Sequence, residues 1–404
     1  MLKIETWWLF ALPIIFGLGW IGARWDMRLE KREDEIDRLA QQKSTFKGLN
    51  LLLNEEPDKA IDALVQIAQL DPETTELHFA LGSLFRRRGE TERAIRVHQH
   101  LASREDLLSS HRDHAAYELG RDFLRAGLLD RAESSLRQVG SQSKFGIPAK
   151  ESLLEMYQIE KDWVQAINSS KELEVLQGKS LHKEIAHFNC QLAEEALQAK
   201  KSDQALEYIQ QAMTAIPNHP RARILKGDWL VTQNQLQKAL DTWSDIAKNH
   251  VAYLPLVADR WIDVHKALGK PQEGLQVLID ALQTQAGGEL LDITFKHVMA
   301  IQGVPQAETL MTRVMDHTPS LTAMALRAQA RLMLAEVAQN DKATQEIKAS
   351  LGLLKHRTNS LARYTCGNCG FRARRFYWQC PGCNYWESYS PTRGEGAAPS
   401  GRSM

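Results

Sequence analysis

A small residue recurs along this chain at a nearly constant interval. It stands at Ala60, Ala94, Ala132, Ala166, Ala205, Ala239, Gly274 and Ala307, with steps of 34, 38, 34, 39, 34, 35 and 33 residues. Twelve residues earlier comes a second small residue: Gly48, Gly82, Gly120, Ala193 and Gly227. A large apolar side chain follows three positions after the glycines, at Leu51, Phe85, Phe123 and Leu230. Strand signals are few between residues 46 and 352, and the stretch is rich in Ala, Leu, Gln, Glu and Lys, all good helix formers. A unit of this length holds two helices, and small residues mark where two helix axes approach closely. Such a pair cannot bury its apolar face alone, so successive pairs must stack.

The segments LGSLFRRRGETERAI and LGRDFLRAGLLDRAE resemble the tetratricopeptide repeat. Gly89 and Gly127 fall at the turn between the two helices, where a positive φ is cheap for glycine. Pro72 and Pro217 help end second helices. The units around Gly274 and Ala307 are degenerate, and the steps of 38 and 39 predict longer helices or loops. The expected class is all-α, a repeat superhelix that binds an extended peptide or another protein. Catalysis is not expected: the chain has no P-loop, no nucleophile elbow and no HExxH pattern. His98 is read as a packing residue, and His78, His100, His111 and His114 as residues of solvated helix faces. Arg86, Arg87 and Arg88 read as solvated charge favoured at a helix end, or as a patch for an acidic partner. Cys190 reads as a small buried hydrophobe.

The first 23 residues predict a membrane anchor. Thr6 to Ala23 run 18 residues without a charge, near the short end of what spans a bilayer. Trp7, Trp8, Trp20 and Trp25 flank the run, as interfacial aromatics do. A cleaved signal peptide and a buried core helix are the competing readings; no small-x-small cleavage site follows the run. Arg24, Arg28, Lys31 and Arg32 follow the run and only Lys3 precedes it, which places the body on the cytoplasmic side. Residues 24–45 read as a charged helical stalk.

The sharpest local pattern is Cys366-Gly-Asn-Cys369, ten residues, then Cys380-Pro-Gly-Cys383. Four of the five cysteines sit in these 18 residues, which argues against a disulfide scaffold. Two residues between ligands let one tight turn aim two sulfurs at one ion. Four thiolates suit tetrahedral Zn²⁺ in a closed, structural site, and iron fits the same cage. The intervening FRARRFYWQ alternates like a short β-hairpin. Phe371, Phe376, Tyr377, Trp378, Tyr385 and Trp386 exceed what so small a core buries, so some should dock on the last helices of the array. Lys+Arg and Asp+Glu are both 50, which makes a nucleic-acid-binding polycation unlikely. Lys355 to Met404 nevertheless carry eight basic and two acidic residues. Anionic lipid headgroups or an acidic protein face suit that excess better than nucleic acid.

Anchor, repeats and the tail YTCGNCGFRARRFYWQCPGCNYWESYSPTRG together resemble the lipopolysaccharide assembly protein B family of Gram-negative bacteria. The resemblance implies an all-α chain: a transmembrane anchor at 1–23, a stalk at 24–45 and a tetratricopeptide superhelix at 46–352. A rubredoxin-like β module at 353–391 and a disordered tail at 392–404 complete it. Cys366, Cys369, Cys380 and Cys383 carry over as ligands of one zinc or iron ion. The implied role is an inner-membrane adaptor, not an enzyme. It would limit lipopolysaccharide synthesis by promoting degradation of the lipid A-committing deacetylase by the membrane-anchored AAA zinc protease. Other lipopolysaccharide assembly proteins and a homo-oligomeric copy are further partners it allows. A scaffold for lipopolysaccharide enzymes and an iron electron-transfer protein are the alternatives.

Overall fold

A computed structural model describes residues 75–284, 287–361 and 364–391. The expected anchor, stalk, first repeat and tail lie outside the described residues. Among the described residues, no helix is long and apolar enough to cross a membrane. Contacts divide the chain into two compact units, Met1–Lys161 and Asp162–Met404.

The described part of the first unit contains α1 (Thr75–Arg88), α2 (Thr91–Ala102), α3 (Ser109–Ala126), α4 (Leu129–Arg137) and α5 (Gly146–Glu160). The second unit begins with α6 (Trp163–Gln177), α7 (His182–Gln198), α8 (Ser202–Ala215), α9 (Pro220–Thr232) and α10 (Leu236–Asn249). A 3-10 turn at Val251–Leu256 precedes α11 (Ala258–Ala267), α12 (Pro271–Thr284), α13 (Gly288–Ile301) and α14 (Val304–His317). Helices α15 (Leu321–Val337) and α16 (Asp341–Leu361) end the array, and strands β1 (Tyr364–Thr365) and β2 (Arg372–Ala373) follow.

The repeat pattern has a direct physical cause. Ala94, Ala132, Ala166, Ala205, Ala239 and Ala307 are fully buried. The earlier small residue in each pair lets a large side chain of the second helix lie across the first. A Cβ at Gly82 would sit 2.4 Å from the His98 ring, and one at Gly227 would sit 2.0 Å from Trp243 Nε1. His98 and Trp243 occupy the same repeat position, four residues after Ala94 and Ala239. Gly89 and Gly127 close their turns at φ +86° and +72°. The long steps are absorbed in α3 and α7, which have 18 and 17 residues against 14 in α1. The degenerate units still form helix pairs, α11 with α12 and α13 with α14. A continuous apolar core built on Trp243, Trp261, Leu278, Phe295 and Met311 holds that part together.

Two polar expectations change. Arg86 is buried, not solvated: it pairs with Glu118 and, at 2.8 Å, with Asp122. His98 Nδ1 closes on the other Asp122 oxygen at 2.5 Å. The cluster ties α1, α2 and α3 together with no bulk water to screen it. Burial pushes the Glu118 carboxyl up, but Arg86 outweighs it and leaves the group below its ordinary value. His114 is half-buried rather than solvated, since its ring stacks between Phe79 at 3.8 Å and Phe145 at 4.2 Å. The partners of both side chains are far apart in sequence, so helical periodicity could not reveal either environment.

Candidate metal centre and its dock on the repeat array

Each Cys-x-x-Cys pair forms one turn of the same design. Cys366 N–H donates to Phe371 O and Gly370 N–H to Cys366 O; Cys380 N–H donates to Tyr385 O and Asn384 N–H to Cys380 O. Gly370 and Asn384 sit at the equivalent left-handed position, φ +75° and +56°. Backbone amides turn inward, so Asn368 N–H approaches Cys366 Sγ and Gly382 N–H approaches Cys380 Sγ, both at 3.4 Å. The strand expected in FRARRFYWQ shrinks to Arg372–Ala373, which pairs antiparallel with Tyr364–Thr365. The hairpin is thus closed by residues before the first knuckle, not within the segment. Single bridges join Cys366 to Tyr389 and Gln379 to Trp386.

The four sulfurs of Cys366, Cys369, Cys380 and Cys383 lie within 4.8 Å of one another. The separations Cys366–Cys383 and Cys369–Cys380 are both 3.7 Å. A tetrahedron with metal–sulfur bonds of about 2.3 Å has edges of about 3.8 Å. Spacing and donor set therefore fit one tetrahedral ion, zinc or iron. Burial pushes the Cys366 thiol up, but hydrogen bonds from Ser388 and from the Cys369 and Asn368 amides outweigh it, leaving it at about 6. Such donors favour the thiolate that a metal needs.

The ribbon docks on the array, though not on its last helices. Trp386 meets Trp163 of α6 edge-on at 6.2 Å and stacks on His187 of α7 at 4.6 Å. Trp378 stacks on Tyr253, in the 3-10 turn, at 5.2 Å. Arg221 of α9, itself buried, lies 5.7 Å from Trp378 and 5.9 Å from Trp386, and is held by Glu194. Aromatic burial of this kind contributes about 1.5–3 kcal/mol per ring.

A carboxylate fixes the register of the dock. Glu387 Oε1 lies 3.0 Å from His187 Nε2 and 3.5 Å from His219 Nε2, while Oε2 faces Lys183 Nζ at 3.4 Å. The turn that carries it is specific, because Glu387 takes φ +50° and its N–H donates to Trp378 O. His219 caps α9: its Nδ1 accepts the Ala222 N–H at 3.3 Å, ahead of Pro220 in the first turn. That bond leaves the proton on Nε2, which faces Glu387 Oε1 at 3.5 Å without closing a hydrogen bond. The trio has the composition of a His₂Glu metal site and the required closeness. The tautomer argues otherwise, since a metal at Nε2 would move the proton to Nδ1 and break the cap. His187 Nδ1 also lacks a hydrogen-bond acceptor among the described residues, whereas metal-bound histidines usually donate through the other nitrogen. The geometry is that of a half-buried carboxylate receiving the His187 N–H, with the His219 ring facing it at longer range. Burial pulls His187 down to about 3 against the opposing pull of Glu387, which keeps it neutral. Burial pushes Glu387 up, but His187, His219 and Lys183 outweigh it and hold it well below the usual carboxylate range.

Periodicity and spacing missed His187, His219, Glu387, Trp163 and Tyr253. One signal was present: Glu387 is the single acid between residues 364 and 391, among three arginines. Cys190, as expected, is fully buried, and burial pushes its thiol up to about 12.

Known proteins share both parts. The model of the rubredoxin metal binding domain matches residues 364–391, and that of the tetratricopeptide repeat matches 47–99 and 190–249. Lipopolysaccharide assembly protein B of Escherichia coli K12 is 30% identical over 383 residues, covering 95% of this chain and 97% of that protein. The chain belongs to the lipopolysaccharide assembly protein B family. The Haemophilus influenzae member is 25% identical over 389 residues, covering 94% of this chain and 96% of its own. Among solved structures, a tetratricopeptide repeat protein from Parabacteroides merdae overlays with a TM-score of 0.33 at 10% identity, covering 72% of this chain and 99% of that one. The family's two matched modules are the ones whose contact is described above, a repeat array and a four-cysteine ribbon.

Proposed function

We propose that the chain is a membrane-tethered adaptor that regulates lipopolysaccharide synthesis. It brings the lipid A-committing deacetylase to the membrane-anchored AAA protease and catalyses nothing itself. Its relatives are named for lipopolysaccharide assembly, and its repeats are of a kind that binds proteins. The observation that carries the reading is the ribbon seated on α6, α7 and α9 through Trp378, Trp386 and Glu387. A module held this firmly makes one composite surface with the array.

In this reading residues 1–23 are the anchor, 24–45 the stalk, 46–352 the array, 353–391 the ribbon and 392–404 a tail. Cys366, Cys369, Cys380 and Cys383 hold one zinc or iron ion, whose role is to fold the ribbon. The body faces the cytoplasm at the inner membrane. Tethering raises the effective concentration of the substrate at the protease, which accelerates degradation without any chemistry by the adaptor.

Depletion of the chain tests this directly. The deacetylase half-life should lengthen and its level rise; an unchanged half-life refutes the adaptor role and favours a scaffold for lipopolysaccharide enzymes. The visible spectrum of the purified protein separates the ions, because ferric thiolate is coloured and zinc thiolate is not.

A further inference from the structure

The two faces of the ribbon differ in character. One is occupied by the array and carries Trp378, Trp386 and Glu387. The tips of the two cysteine turns are exposed instead. Phe371 and Tyr385 occupy the same position in those turns, each accepting the N–H of the cysteine five residues before it. Both rings are open to solvent, 45% and 61% exposed. The turns touch through Phe371, which lies against Gly382 of the second turn: a Cβ there would meet the Phe371 side chain at 3.2 Å.

Arg372 and Arg374, on either side of buried Ala373, are exposed and make no ion pair among the described residues. Arg375 differs, since it lines the cleft toward the array together with Glu194 and Asp228. The single carboxylate of residues 364–391, Glu387, is already engaged by His187, His219 and Lys183. The ribbon therefore exposes two aromatic rings and two guanidinium groups to solvent, with no free carboxylate among residues 364–391 to neutralise them.

We propose that this face rests on an anionic bilayer, with Phe371 and Tyr385 in the headgroup layer and Arg372 and Arg374 against lipid phosphates. The inference rests on the tethered reading above. Two rings and two guanidiniums are far short of the roughly 1,200 Å² that a specific protein interface buries. A bilayer makes no such demand, because the tether already supplies the local concentration. Aromatic side chains flanked by arginine suit the interfacial layer, and each basic residue adds attraction to anionic lipid. Contact through the free face would leave the docked face in place and orient the second unit on the membrane.

The test uses the full chain reconstituted in nanodiscs of phosphatidylcholine, with or without phosphatidylglycerol, read by hydrogen exchange. Amides of residues 367–371 and 382–385 should exchange several-fold more slowly in the anionic discs. Arg372→Gln and Arg374→Gln should each reduce that protection about fivefold, and added salt should do the same. Phe371→Ser with Tyr385→Ser should remove it, while the bound metal and the tryptophan fluorescence of the docked ribbon stay unchanged. Equal exchange in both discs, or protection that survives these variants, overturns the proposal. So does protection that appears only when a membrane protein fraction is added, which would assign the face to a protein. A chain that fails to stay with discs of either composition refutes the tether instead; sedimentation of that chain with phosphatidylglycerol vesicles then decides the face alone.

Discussion

The two units each hold a charge cluster, and the clusters do different jobs. In the first, Arg86, Glu118, Asp122 and His98 join neighbouring helices of one stack, at separations of 24 to 36 residues. In the second, His187, His219 and Lys183 hold Glu387, which lies 200 residues from His187. The first cluster is sealed: Asp122 and His98 are fully buried. The second is a joint between the array and the ribbon, with Glu387 a quarter exposed. A buried charge inside a stack resists opening, whereas a charge at a joint selects which surface meets which.

Metal removal should break the second unit's joint and spare the first. A structural metal contributes on the order of 10 kcal/mol to folding modules this small. Chelation, or Cys380→Ser, should unfold residues 364–391 and expose Trp163, His187 and Tyr253. Tryptophan emission should shift to the red, and α7 and α9 should gain hydrogen exchange while α1 and α3 do not. If α7 and α9 keep their protection, the ribbon is not what covers them.

Asp122→Ala should do the reverse. It leaves His98 without its partner and Arg86 with Glu118 alone in a dry site, at a cost of about 3 kcal/mol. Exchange should rise in α1 to α3, with the ribbon's fluorescence unaltered. Gly227→Ala drives a methyl group into Trp243, a rigid and fully buried ring, and should destabilise the α9–α10 pair by about 1–3 kcal/mol. A lowered unfolding midpoint with intact metal binding is the expected result.

Glu387→Gln keeps the shape and removes the charge, and should lower the docked population about tenfold. Acid should loosen the same joint. His187 stays neutral when docked down to about pH 3, against an ordinary value of 6.5. Undocked, it takes up a proton in that window, so docking weakens as pH falls from 6.5, by up to about tenfold per unit. Glu387, held below its ordinary 4.5, adds to the loss only at more acid pH, as it becomes protonated. Ribbon fluorescence followed from pH 7.5 to 5 measures this, and a flat profile would remove His187 from the joint.

Much of this architecture was legible in residue order. The spacing from Gly82 to Ala94 and from Gly227 to Ala239 located helix pairs because at both places a ring crosses the first helix at its glycine. The two Cys-x-x-Cys turns were legible because each needs only a few consecutive residues to close. Arg86 was misread because its partners sit on the next helix pair, where a helix-end arginine and a buried one look alike. The landing place of the ribbon was misread for a related reason. The chain leaves the array at α16, so the last helices looked nearest, yet the matching aromatics and histidines stand on α6, α7 and α9.

Residue order by itself determined the helical period, the crossing points at small side chains and the four-sulfur cage. These are set by helix geometry and short turns, which act over tens of residues at most. Only the tertiary structure decided that Glu387 meets His187 and His219, and which side of the ribbon stays open. That pairing depends on how successive helix pairs rotate as they stack, an accumulated angle that no local pattern records.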